Sequence, residues 1–304
     1  MIIFLLILAT VILGGSYFSY RIAFHAPDEL RGKHQSVKAP QYDPYRPRMR
    51  ELFRDFSERP FEVVTIRSRD GLKLSARYYH TADGAPLDIC CHGYKSHPIT
   101  DFSGGSRLSF DMGHNLLLID QRSQHDSEGH TITFGILERW DVLFWVNYAV
   151  DRFGQDVKIT LYGVSMGGAT VLMASGLPLP EQVKGIVADC PFAVPEEIIL
   201  DVGKKQHYPP KLIRPFLHMG AWLYGGFRLS ETDAVRAVAK TKVPIVIIHG
   251  EEDRFVPQEM SARLTVREGV ERHSFPDAGH GISAILHTEE YNELVQRFLE
   301  RCAK

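Results

Sequence analysis

Three features of this 304-residue chain predict an α/β fold, with a mostly parallel sheet covered by helices on both faces. Apolar and β-branched runs recur from Phe61 onward with little polar alternation, as strands buried on both faces do. Helical stretches separate most of these runs, the order that places crossovers on both sides of a parallel sheet. One run, Val157–Leu161, leads through Gly163-Val164-Ser165-Met166-Gly167 into the helix formers Ala169 to Ala174. That strand, tight turn and helix would expose one serine at the carboxyl edge of the sheet, where open α/β sheets bind ligands.

Apolar residues at 44% and charged residues at 24% allow a large core and exclude a disordered chain. A net charge of −2 leaves no basic footprint for nucleic acid. The four cysteines, Cys90, Cys91, Cys190 and Cys302, are too few and too irregularly spaced for a disulfide framework or a zinc site. The first three lie in or just after apolar strand runs and are expected as buried free thiols.

Met1 to Tyr20 carries no charged side chain, and roughly 20 such residues span a bilayer. There is no Lys or Arg before Arg21 and no small-residue cleavage site, so residues 1–20 are expected as an uncleaved anchor rather than a cleaved signal. Arg21, Arg31, Lys33, Lys38, Arg46, Arg48 and Arg50 follow, which predicts a single pass through the cell membrane with the remainder in the cytoplasm. The anchor holds none of the chemically suggestive residues, so its removal should leave a soluble, competent domain. Residues 21–60 are polar and proline-punctuated, a linker with one short helix near Met49–Phe56.

Residues 61–304 form the domain proper. Phe61–Ile66 and Leu72–Tyr79 flank Asp70-Gly71, a hairpin signal, so the first two strands should be antiparallel. Six further strands are expected at Leu87–Cys91, Asn115–Asp120, Val157–Leu161, Val183–Ala188, Ile245–His249 and Glu271–Phe275. Helices are expected at Leu137–Arg152, Met260–Arg267 and Thr288–Arg301.

A serine hydroxyl is a weak nucleophile at neutral pH, so Ser165 requires an imidazole base and a carboxylate to orient it. His280, in Gly279-His280-Gly281 after the last strand, is the histidine with a strand-to-helix loop of this kind downstream of the acid. Asp253, in Gly250-Glu251-Glu252-Asp253-Arg254-Phe255-Val256-Pro257, is the favoured acid, with Glu251 and Glu252 facing solvent; Asp189, ending the sixth strand, is the rival. Backbone N–H groups of Met166 and Tyr94 are the candidate oxyanion donors, with Gly93 allowing the loop to turn inward. His92 is expected to brace that loop. Asp120 to Gly129 carries Asp and His residues, but His125 and Asp126 are sequence neighbours that converge poorly on one ion; a loop buttress with Asp120 and Arg122 paired against the neighbouring loops is expected instead of a metal site.

Together, the elbow, the His92-Gly93 loop, the Asp120-Gln121-Arg122 loop, the Asp253 turn and the His280 loop resemble the α/β-hydrolase superfamily. The likeness is closest to membrane-associated bacterial members of its esterase, lipase and serine-aminopeptidase-like branch. It covers about Phe61 to the end, with one departure: relatives usually carry glycine where this chain has Ser123 and His125. The resemblance implies an eight-stranded α/β-hydrolase fold with a helical cap between the sixth and seventh strands, matched here by residues 191–240, with Gly225-Gly226 as a hinge. It implies a Ser165, His280, Asp253 triad cleaving carboxylic esters with an apolar acyl or alcohol group through an acyl-enzyme, without metal or organic cofactor. A transferase or peptidase using the same residues, or a non-catalytic binding protein of the same fold, are the alternatives.

Overall fold

The computed structural model describes residues 1–30 and 40–302. The expected basic residues Arg31, Lys33 and Lys38 lie outside the described residues. The chain opens with helix α1 (Ile2–Ala23) and, after the undescribed stretch, α2 (Arg46–Ser57). The hairpin follows as β1 (Glu62–Arg67) and β2 (Lys73–Tyr79), then β3 (Leu87–Cys91), α3 (Pro98–Phe102), α4 (Ser106–Asp111) and β4 (Asn115–Ile119). Next come α5 (Glu138–Phe153), β5 (Ile159–Val164), α6 (Met166–Ala174) and β6 (Val183–Asp189). The segment between β6 and the seventh strand contributes α7 (Pro195–Lys205), α8 (Pro210–Leu223) and α9 (Ala234–Val238). The chain closes with β7 (Ile245–Gly250), α10 (Gln258–Ala262), β8 (Val270–Phe275), α11 (Ser283–Leu286) and α12 (Thr288–Cys302).

The eight strands form one sheet in the order β1-β2-β4-β3-β5-β6-β7-β8. The β1–β2 and β2–β4 pairs are antiparallel, and all pairs from β4–β3 to β7–β8 are parallel. Burial on both faces follows from the strand sequences: Leu117 and Ile119 of β4 join one core with Trp145 of α5 and Leu172 of α6, while Leu116 and Leu118 join the other with Phe102 of α3 and Phe298 of α12. Successive side chains point to opposite faces, so an unbroken apolar run is what such a strand requires. Helix α10 spans Gln258–Ala262 rather than the expected Met260–Arg267; after Arg263 and Leu264 come Thr265 and Val266, β-branched and poor helix formers.

The N-terminal segments pack onto the domain, and the short helix expected near Met49–Phe56 is α2, lying on the domain. Helix α1 runs past Tyr20 to Ala23, and its last third is built into the domain: Ser16, Tyr20 and Phe24 are buried, and it packs along α8. Small residues make this contact close. A methyl group on Gly15 would meet the Phe216 ring at 2.8 Å, and one on Gly220 would meet the Ser16 carbonyl oxygen at 2.5 Å. Beyond α1, the Ala26 N–H donates to His130 O and the Ile132 N–H donates to Phe24 O, tying the chain to the loop after β4. Leu52 and Phe56 of α2 are likewise buried, Phe56 against Tyr79 and Phe110.

Candidate active site

The site grows from the turn between β5 and α6. Ser165 has φ 55° and ψ −116°, a left-handed conformation that L-residues avoid, and it is held there by neighbouring strands: its N–H donates to Asp189 O at 2.8 Å. The flanking glycines are steric necessities. A Cβ on Gly167 would stand 1.8 Å from the Cys91 carbonyl oxygen, and one on Gly163 would stand 2.3 Å from Gly167 O. Only without those atoms do β3, β5 and α6 approach closely enough to present the serine.

Three loops at the carboxyl edge bring the partners to it. His280 Nε2 lies 2.9 Å from Ser165 Oγ, and His280 Nδ1 lies 2.7 Å from Asp253 Oδ2. The carboxylate can only accept, so Nδ1 carries the proton and Nε2 is left to accept from the serine hydroxyl. Asp253 is itself positioned: its Oδ1 accepts from the N–H groups of Phe255 and Val256, both at 2.8 Å, and His249 Nε2 lies 3.3 Å from Oδ2. Burial alone would raise the Asp253 carboxyl, but the charges and hydrogen bonds of His280 and His249 outweigh it and hold the group well below the ordinary carboxylate range. Glu251 and Glu252 are exposed, as expected. Asp189 faces the other way, accepting from Tyr291 Oη at 3.1 Å, and burial pushes its carboxyl up to about 6.

Met166 is the first residue of α6, where a helix leaves its amide N–H without an intrahelical acceptor. The loop after β3 presses against the elbow, with the position of a Gly93 Cβ falling 3.4 Å from Ser165 Cβ. Gly93 N–H is already taken, donating to Asp101 Oδ2 at 2.6 Å; Asp101 also accepts from Ser96 Oγ. Tyr94 is the next amide along this pinned loop. His92 braces it: the Gln121 N–H donates to its Nε2 at 3.1 Å, so Nδ1 carries the proton and donates to Gly93 O at 2.8 Å. Burial holds His92 well below its ordinary value, hence neutral, and its one lone pair is occupied.

The loop after β4 is a buttress, with one correction. Arg122 makes paired hydrogen bonds to Asp141 at 2.6 and 2.7 Å and to Asp70 at 3.0 and 3.1 Å, fastening the loop to α5 and to the hairpin turn. Asp120 is not part of this ion-pair network. Its Oδ2 accepts only a long bond from the Asp126 N–H, its Oδ1 has no partner among the described residues, and burial pushes the carboxyl up to about 7. Ser123 and His125, where glycine was expected from relatives, take φ 66° and 51°, a region that glycine enters without strain.

Two cavities meet at Ser165. One, of about 300 Å³, is apolar and bounded by Phe18, Ile22 and Ala23 of α1 as well as Ile198, Val202 and Leu217 of the cap. The other, of about 350 Å³, is more polar and bounded by Gln41, Tyr42, Lys95, Asp101, Thr100 and His280. The expected anchor supplies none of the residues around Ser165 Oγ, His280 and Asp253, but the docked turns of α1 form one wall of the apolar cavity. Tyr42, from the presumed linker, donates its hydroxyl to His280 O at 3.0 Å. Sequence patterning missed Asp101, Tyr42 and Cys190, whose Sγ lies 3.9 Å from His280 Nε2, because none sits in a distinctive motif. Gly225-Gly226 ends α8, with the N–H of Gly225 and of Phe227 donating back to Gly220 O and Ala221 O and Gly226 at φ 70°.

Comparison with known proteins agrees with this architecture. Residues 89–228 match the family model for the alpha/beta hydrolase fold. An uncharacterized Bacillus subtilis protein, YqkD, is 25% identical over 253 residues, covering 82% of this chain and 83% of that one. Among solved structures, the Pyrococcus furiosus esterase Pf2001 superposes with TM-score 0.67 at 22% identity, over 90% of this chain and 100% of that chain. Est1E from Butyrivibrio proteoclasticus, with ferulic acid bound, superposes with TM-score 0.59 at 21% identity, over 79% and 100%.

Proposed function

Starting from a chain that has the α/β-hydrolase fold, we propose that it is a membrane-anchored serine esterase acting on carboxylic esters with a long apolar acyl group. The observation that carries this reading is the line of contacts from Ser165 Oγ to His280 Nε2 at 2.9 Å and from His280 Nδ1 to Asp253 at 2.7 Å, lying where an apolar and a polar cavity meet. In this mechanism Ser165 Oγ attacks the ester carbonyl while His280 Nε2 takes its proton. Asp253, ionised because its two imidazole neighbours favour the anion, stabilises the imidazolium. The oxyanion accepts from the N–H groups of Tyr94 and Met166, which do not need to reorganise as charge develops. His280 then returns the proton to the departing alcohol, leaving an ester on Ser165 Oγ. Water, deprotonated by the same imidazole, releases the acid.

The apolar cavity suits the acyl chain, and the polar one, with Lys95 and Asp101 on its wall, suits the alcohol. Esterases among the structural relatives support the reaction class, and α1 supports the anchor, with Arg21, Arg46, Arg48 and Arg50 favouring a cytoplasmic domain. Retention of α1 rather than cleavage is favoured by its buried Ser16, Tyr20 and Ala23, which a processed chain would lose in part or whole. The test is labelling with a fluorophosphonate together with turnover over a panel of esters of increasing acyl length. Wild-type protein should label at Ser165, and Ser165→Ala should neither label nor retain more than about 10⁻⁴ of kcat. Undiminished turnover in folded Ser165→Ala protein would remove the serine mechanism.

A further inference from the structure

We propose that the outer face of α8 lies in the bilayer beside α1, and that the apolar cavity at Ser165 fills laterally from the lipid leaflet, making the substrate an acyl ester of a membrane lipid. The placement of α8 stands on geometry; the substrate rests on the esterase reading above.

The first argument is length. A bilayer's hydrocarbon core is about 30 Å thick and a helix rises 1.5 Å per residue, so a perpendicular crossing takes about 20 residues. From Ile2, that count reaches Arg21, the first charged side chain. Yet only Met1 to Ile12 project clear of the protein, about 18 Å of helix, because Tyr224 Oη donates to Leu13 O at 3.2 Å, Ser16 and Tyr20 are buried, and Gly15 and Ser16 are pressed onto α8. For α1 to reach the far side with Arg21 at the near interface, the docked turns must lie at hydrocarbon depth. Helix α8, in contact with them, is carried in as well.

The second argument is the surface α8 presents there. Leu212, Met219, Trp222 and Leu223 are exposed, Leu212 at 63% and Trp222 at 57%. At 100° per residue these four fall within a sector of roughly 100°, and Phe216, the residue in contact with Gly15 of α1, lies about 20° beyond its edge. The apolar face of α8 is therefore continuous with α1 rather than an isolated patch. Lys211, Arg214 and His218 stand on the other flank, Arg214 and His218 paired with Glu196 of α7. An exposed apolar stripe bordered along one edge by Trp222 and, beyond it, by Lys211 and Arg214 is the pattern of a helix lying in the interfacial plane, its apolar side in lipid and its cations toward the headgroups.

The third observation links this surface to chemistry. The cavity ending at Ser165 is walled by Phe18 and Ile22 of α1 and by Ile213 and Leu217 of α8, the same two helices. Phe18 and Ile22 are themselves exposed, so an acyl chain beside α1 can pass from lipid to serine along apolar side chains without crossing water.

The experiment uses the full chain in phosphatidylcholine vesicles whose lipids are brominated on the acyl chains. Tryptophan emission of Ser165→Ala protein is compared with that of Ser165→Ala, Trp222→Phe protein, so that the Trp222 contribution is isolated and no activity is needed. At least half of the Trp222 emission should be quenched; an unquenched Trp222 overturns the placement, whether water, a second copy or another protein covers the face. In the enzyme with Ser165 intact, Leu212→Asp combined with Leu223→Asp should lower turnover of a long-chain ester in vesicles more than tenfold. Turnover of a water-soluble short-chain ester should stay within twofold, in protein that labels with fluorophosphonate at the wild-type rate. Equal turnover changes on both substrates in such protein overturn the lateral route. Quenching without any ester turnover in the wild type would leave the membrane placement standing and remove the esterase reading alone.

Discussion

Replacing Asp253 by asparagine changes one atom and should disable the proposed base. The Asp253 Oδ1 accepts two backbone N–H bonds at 2.8 Å, from Phe255 and Val256, so an asparagine must keep its carbonyl oxygen there and turn its NH₂ toward His280. That NH₂ replaces an acceptor 2.7 Å from His280 Nδ1 with a donor. The imidazole then accepts at Nδ1 and carries its proton on Nε2, which faces Ser165 Oγ as a donor and cannot take the serine proton. The expected loss in kcat is about 10⁴-fold, or roughly 5.4 kcal/mol of transition-state stabilisation. Asp189→Asn, whose carboxyl hydrogen-bonds to Tyr291 rather than His280, should cost less than tenfold. Turnover of a soluble p-nitrophenyl ester, measured alongside melting temperature, separates loss of chemistry from loss of fold. A folded Asp253→Asn protein within tenfold of wild type, or a larger loss from Asp189→Asn, would refute the assignment of the acid.

Gly167→Ala would place a methyl 1.8 Å from the Cys91 carbonyl oxygen, so it should abolish fluorophosphonate labelling and lower Tm even though alanine is the better helix former; calorimetry with labelling checks this. Deleting residues 1–13 should leave soluble-ester turnover and Tm nearly unchanged. Deleting residues 1–23 strips the buried Ser16, Tyr20 and Ala23 and the cavity wall, and should lower Tm by about 5 °C or more and raise KM for long-chain esters. The Asp120 carboxyl is raised to about 7, so between the ordinary carboxylate value and pH 7 the folded state holds a proton that the unfolded chain has released. Its contribution to stability therefore falls as pH rises through that window, by up to about 4 kcal/mol for three pKa units. Asp120→Asn removes this slope, so urea melts should show the variant gaining on wild type from pH 5 to pH 8; a constant difference would show that Asp120 is ionised throughout.

How much was legible depended on whether the signal was local. Strands β3, β4, β6 and β7 fall within one residue of the runs read from the sequence, because burial on both faces favours a mostly apolar string of strand length. The fifth strand is displaced, beginning at Ile159 and continuing to Val164, since the elbow keeps extended backbone up to the serine itself. Ser165 was evident from the glycines two residues before and two after it, set between a strand run and a row of helix formers, and His280 because its loop follows the last strand. The acid was narrowed to Asp253 and Asp189 by position. In the folded carboxyl edge Asp253 Oδ2 lies 2.7 Å from His280 Nδ1, whereas Asp189 accepts from Tyr291 Oη, a difference that sequence spacing does not show.

The first 20 residues illustrate the complementary limit. Composition determined that they are apolar, uncharged and long enough to cross a bilayer, a property of side chains summed along a helix and independent of what the helix touches. That the last turns of this helix are pressed against α8 through Gly15 and Gly220 and wall the serine's cavity was decided by tertiary packing alone. The two glycines lie 205 positions apart, and the close approach of their two helices leaves no periodic trace in either segment. Likewise, Asp101 and Tyr42 carry no motif, and acquire their places beside Gly93 and His280 only when the loop after β3 and the segment before α2 converge on the sheet edge.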